Sequence, residues 1–145
     1  MKILVPVDGS EPALKAVRHA LSLLGQGLNA SLVLVTVQEP VYLYEVMLAP
    51  DADALERVTG AVGVKALAGA LALCDAAGVT YESEIASGDA AQLILDLAGA
   101  RKCDAIVMGA RGQGAVKSAL FGSVSQRVLQ DATVPVTVVK QATMP

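Results

Sequence analysis

Residues 105–110 read Ala105-Ile106-Val107-Met108-Gly109-Ala110, residues 111–114 read Arg111-Gly112-Gln113-Gly114, and the stretch closes on Phe121-Gly122-Ser123-Val124-Ser125. A short apolar run stops at a glycine, and Gly109, Gly112 and Gly114 follow in close succession. That pattern is a buried strand delivering the chain into a turn where the backbone must approach something closely. Without a Cβ in the way, main-chain N–H groups can face an anion such as phosphate. Gly122-Ser123 at a helix start adds unpaired N–H donors and a positive dipole end. Hydroxyls of Ser123 and Ser125 would add donors and Arg111 would add charge, whereas Lys117 reads as solvated surface. The same residues also fit a glycine turn followed by an ordinary helix cap.

Working outward, four more apolar runs have strand character: Ile3–Val7, Leu32–Val37, Val79–Ile85 and Val134–Val139. Most are continuous rather than alternating, which predicts strands covered on both faces. Between them lie helical periods, with Leu14, Val17, Leu21 and Leu24 in the first and Leu93, Ile94 and Leu97 in the third. Ser10 and Asp89 are predicted N-caps, and Gly25 and Gly78 are predicted stops for the first and second helices. Strand and helix therefore alternate, which predicts right-handed crossovers and a doubly wound parallel sheet in one α/β domain spanning residues 1–145. Ligands of such sheets bind beyond the carboxyl ends of strands, where the winding reverses. The ends of the first and fourth strands are the places to look. Residues 40–50, carrying Tyr42, Leu43, Tyr44, Val46, Met47 and Leu48, are too apolar for an ordinary solvated loop. They read either as cover for a ligand or partner or as a loop folded onto its own domain.

Composition narrows the partners. A net charge of −3 without a Lys/Arg block argues against nucleic acid. The opening residues, an apolar run halted at Asp8, are wrong for a signal peptide. The Ala/Leu-rich stretch Ala66–Cys74, bounded by Lys65 and Asp75, falls short of a membrane span and reads as a buried helix face. Cys74 and Cys103 match no zinc or disulfide pattern and fit small core residues in a reduced, cytoplasmic setting.

Two near-motifs fail on context. Val116 stands where a P-loop needs glycine before Lys117, and Gly25-Gln26-Gly27-Leu28-Asn29-Ala30 follows a helix instead of a strand. Catalytic groups are sparse. His19, the single histidine, is placed on the outer face of the first helix with Lys15, and Cys103 has no evident base to activate it. The last strand is predicted at a sheet edge, where Pro135 blunts part of it and no charge guards it before Lys140, so pairing with a second copy of the chain is expected.

Gly109-x-x-Gly112, nine residues, then Gly122-Ser123 resembles the G-2x-G-9x-G-(S/T) signature of ATP-binding universal stress proteins. Ile3-Leu4-Val5-Pro6-Val7-Asp8-Gly9-Ser10 is similar to that family's opening strand, and Gly88-Asp89 matches as well, so the likeness runs along essentially the whole chain. The resemblance implies a three-layer doubly wound sandwich with a five-stranded, mainly parallel sheet in the order 3-2-1-4-5, of adenine nucleotide alpha hydrolase-like or Rossmann-like type. It implies that Asp8 faces the nucleoside with Pro6 and Val7 beside it, and that Val37 packs near adenine. Met108 and Gly109 would then flank ribose or base. Gly112, Gln113, Gly122, Ser123, Val124 and Ser125 would line the phosphate path, with Arg111 adding charge. Asp8 also fits a cap of the first helix. Ala110 departs from the Ser or Thr common in relatives and removes one hydroxyl. The implied cofactor is ATP with Mg or Mn held through its phosphates, and the implied assembly is a homodimer through Val134–Val139. The implied role is a nucleotide-responsive module in the stress response, without nucleic acid or membrane partners. A slow ATPase or phosphoryl/nucleotidyl transferase in the same pocket, and a nucleotide-free chaperone-like dimer, are the alternatives.

Overall fold

The computed structural model describes residues 1–38, 52–110 and 122–140. Along the chain these form β1 (Lys2–Pro6), α1 (Glu11–Gly25), β2 (Ser31–Gln38), α2 (Ala52–Ala77), β3 (Tyr81–Ser87), α3 (Ala90–Ala100), β4 (Ala105–Gly109), α4 (Ser123–Asp131) and β5 (Val136–Val139). The sheet runs β3-β2-β1-β4-β5 and every neighbouring pair is parallel. The predicted order and winding are thus present.

Alternation along each strand divides the core between the two faces. Ile3, Val5, Leu32, Leu34 and Val107 point to the side covered by α1 and α2, where they meet Ala16, Val17, Leu67 and Cys74. Leu4, Val33, Val35, Ile106 and Met108 point to the side covered by α3 and α4, against Ile94 and Val128. Because both faces are covered, the three inner strands can be apolar through their middles, as Ile3–Val5, Leu32–Val35 and Ile106–Met108 are.

The third strand departs from its prediction. It runs Tyr81–Ser87 rather than Val79–Ile85 and mixes half-buried with exposed residues instead of being covered throughout. It is an edge strand, and Glu82 and Glu84 hold ion pairs with Arg101 while Lys2 also reaches Glu82. The last strand is likewise shorter than expected, beginning at Val136.

Helix ends show a second departure. Ser10 caps α1, its hydroxyl accepting from the Ala13 N–H at 3.5 Å, and Asp89 caps α3 by accepting from the Gln92 N–H at 2.9 Å. Gly78, with φ +69, ends α2 as predicted, but α1 is terminated by Gly27, with φ +114, and not by Gly25. The left-handed residue belongs one place beyond the cap, where its N–H and the next one return to the last turn. Here Gly27 N–H reaches Leu24 and Leu28 N–H reaches Leu23. α3 ends the same way on Lys102, at φ +56, with Cys103 N–H returning to Ala98.

Within α2, Gly60–Ala77 is long and apolar enough to cross a membrane by length and composition. Its buried stripe of Ala66, Leu67, Ala70 and Cys74 lies against the sheet, as in a core helix.

Candidate functional site

The winding reverses between β1 and β4, so the crevice at their carboxyl ends is the switch point of the sheet. The two strands share only the register pairs Ile3 with Ala105 and Leu4 with Ile106, whereas β1 and β2 share five. β1 leads into the crevice through Val7, whose N–H still reaches the Val35 carbonyl at 2.8 Å, and then Asp8. β4 leads into it through Gly109 and Ala110, and Ala110 N–H is held by Val139 of β5 at 3.1 Å.

The half-buried Asp8 carboxylate accepts from the Ser10 N–H at 2.9 Å and also from the Ser10 hydroxyl. Asp8 therefore braces the start of α1 at the carboxyl end of β1, the edge where the switch point lies. Gly109 is required by a close approach. A Cβ there would lie 2.7 Å from the Pro12 carbonyl oxygen, so β4 and the first turn of α1 touch through a space only glycine leaves open. Sequence reading saw Gly109 as part of a phosphate turn and missed this contact, because Pro12 and Gly109 are far apart in the chain.

The far wall is α4. Gly122 is its N-cap, with φ −77 and ψ 169, and among the described residues no side chain caps the helix. Its N–H donates to the Ala110 carbonyl at 2.8 Å, so the residues before and after segment 111–121 are joined at their base. The Ser125 hydroxyl donates within the same group, lying 2.8 Å from the Ala110 carbonyl and 3.0 Å from that of Gly122. Ser125 is buried, and its proton is committed to that clasp instead of being aimed outward. Ser123 is exposed and Val124 half-buried at the head of the helix.

Of the residues predicted to line the site, Pro6, Val7, Asp8, Met108, Gly109, Gly122, Ser123, Val124 and Ser125 come from segments that converge on this crevice. The Val7 and Met108 side chains are core, 3% and 5% exposed, so what they offer is main chain. Val37, near the end of β2, is half-buried and packs toward the α3/α4 core. Arg111, Gly112 and Gln113 lie outside the described residues, as does the apolar stretch 40–50.

Neither cysteine is set up as a nucleophile. Burial, and then the Asp75 charge, push the Cys74 thiol up to about 11, and burial also raises that of Cys103. His19 is half-buried alongside Lys15, not fully outward. Among the described residues no group of three or more His, Cys, Asp or Glu is arranged to hold a metal. A cavity of about 250 Å³ lies at the opposite, amino end of β4 and β5, between Leu95, Cys103, Ile106 and Val134.

The universal stress protein family profile matches residues 1–140. The universal stress protein in the QAH/OAS sulfhydrylase 3' region of Thermus aquaticus is 39% identical over 142 residues, covering 95% of this chain and 97% of that one. Among solved structures, the hypothetical protein MJ0577 superposes with a TM-score of 0.83 at 24% identity, covering 99% of this chain and 97% of its own, a likeness of fold. A universal stress protein in complex with cAMP superposes with a TM-score of 0.69 at 27% identity, covering 96% of each. A switch-point crevice between β1 and β4, with the glycine-capped start of α4 beside it, thus stands in a chain whose whole described length follows one family, and the chain belongs to the universal stress protein family.

Proposed function

We propose that the chain binds an adenine nucleotide, foremost ATP, in the crevice between the ends of β1 and β4, and works as a nucleotide-responsive module and not as an enzyme of rapid turnover. The observation that carries this reading is the start of α4: a glycine N-cap with no capping side chain among the described residues, at the same carboxyl edge of the sheet as Asp8. Such a helix start offers N–H donors and a positive dipole end to a phosphate. The cAMP complex of a 27% identical relative supports an adenine nucleotide as the ligand. In this reading Arg111, Gly112 and Gln113 complete the phosphate path, and Mg²⁺ or Mn²⁺ rides on the phosphates with Asp8 as the nearest protein carboxylate. The setting that fits is the cytoplasm during stress.

The edges of the sheet support the proposed homodimer. β3 carries Glu82 and Glu84, which discourage strand addition, while Val136, Thr137, Val138 and Val139 of β5 carry no charge. β5 is thus the edge open to a second copy, and Thr137→Pro should shift the sedimentation coefficient toward that of a monomer.

The nucleotide reading is tested by thermal unfolding with and without Mg-ATP, repeated with GTP and with Gly122→Val, because a ligand that binds only the folded state raises its stability. A rise with Mg-ATP that the variant loses is expected; no rise would overturn the reading.

A further inference from the structure

The head of α4 is held by a polar grip outside the crevice. Arg127, one turn into α4, reaches across to the first turn of α3, with Nη1 donating to Asp89 Oδ2 at 2.8 Å and Nη2 to Gln92 Oε1 at 2.6 Å. The same Asp89 oxygen accepts from the Gln92 N–H at 2.9 Å as the N-cap of α3. The Gln92 amide nitrogen donates to Asp96 at 2.9 Å, which turns its oxygen toward the guanidinium. On the other side, Arg127 Nε lies 3.6 Å from Asp131 in α4 itself. One planar group therefore engages both helices.

α4 needs such a grip. It has nine residues and buries only Ser125 and Val128, so packing alone constrains its rotation weakly. The Ser125 hydroxyl pins its base to Ala110, and the Arg127 fork pins its flank to α3. We infer that Arg127 is a positioning residue for the nucleotide site: by locking α4 to the N-cap turn of α3, it keeps the first-turn N–H groups of α4 aimed into the crevice without touching the nucleotide. This rests on the nucleotide reading above. The Arg127 and Asp89 side chains are 43% and 61% exposed, so their pairing adds little to stability. A two-pronged guanidinium contact nevertheless fixes orientation in a way that a single-point ammonium does not.

The test is isothermal titration calorimetry with Mg-ATP, AMP and adenosine on the whole protein, comparing wild type, Arg127→Lys, Arg127→Ala, Asp89→Asn and the Asp89→Asn/Arg127→Ala pair. Asparagine keeps the α3 cap while removing the charge that Arg127 grips. The expected result is that Arg127→Ala weakens Mg-ATP and AMP about three- to tenfold. Adenosine should bind as it does to wild type, and Arg127→Lys should fall between. In the Asp89→Asn background, removing Arg127 should cost little more, because the two changes break one contact. Unchanged Mg-ATP affinity in Arg127→Ala would overturn the inference while leaving the nucleotide reading intact. A full loss repeated in the Asp89→Asn background would also overturn it, by assigning Arg127 to the phosphates directly. If wild type bound none of the three, the nucleotide reading would fail and this inference with it. Should Arg127→Ala not fold, Arg127→Lys and the Asp89→Asn/Arg127→Lys pair carry the same comparison.

Discussion

The first helix and the last both start at the carboxyl edge of the sheet, but they close their amino ends differently. At α1 the Ser10 hydroxyl takes the Ala13 N–H, and Asp8 takes the N–H and hydroxyl of Ser10, so side chains satisfy the turn from within. At α4 a glycine stands at the cap and, among the described residues, no side chain accepts from the first turn. A capped start serves stability, whereas an uncapped one holds donors in reserve for something that is not protein. The wall built from α1 is therefore self-sufficient, and the wall built from α4 is the one that the proposed nucleotide would complete.

The largest expected effect comes where the two walls touch. Gly109→Val places a side chain against the Pro12 carbonyl, and the clash should cost about 3 kcal/mol or prevent folding, as measured by urea unfolding. A mild effect would mean that the walls are not in rigid contact. Next is Gly122→Asp, which gives α4 the cap it lacks. The carboxylate should stabilise the helix by a few tenths of a kcal/mol while weakening Mg-ATP binding by about tenfold or more, since it occupies and repels the phosphate position. Opposite signs in unfolding and in calorimetry are the signature of the contrast; a gain in both would break it. Ser10→Ala, at the self-sufficient end, should lower stability by about 1 kcal/mol in the same urea assay. The smallest effect moves the contrast to a helix C-terminus. Lys102→Gly relieves a left-handed residue and should raise the unfolding free energy by about 0.5 kcal/mol, less than the full strain because glycine also loosens the unfolded chain.

Much of this was legible in the sequence for definite reasons. Apolar β-branched runs separated by helical periods specify a covered parallel sheet, and the caps at Ser10 and Asp89 are local signals that the structure bears out. Legibility fails where a position is set from far along the chain. The edge location of β3 depends on strand order, so a run that reads as continuous is in fact half exposed. Lys102 carries no mark of a helix end because its left-handed conformation is imposed by bonds returning to Ala98 and Gly99. Within the site, Ser125 reads as a free donor until the Ala110 carbonyl is placed beside it, and Arg127 reads as surface until α3 is placed beside α4. The motif is silent about what holds the start of α4 in place.

The short pairing between β1 and β4 has a kinetic consequence. Two register pairs join the half built on β1, β2 and β3 to the half built on β4 and β5, so the seam between β1 and β4 has the fewest paired positions in the sheet. In native-state hydrogen exchange the halves should behave as two cooperative units that separate before either melts, with amides along the seam opening at lower free energy than those between β1 and β2. A molecule bound astride that seam would act as a staple, and its residence time would be written in the exchange rates of amides it never touches.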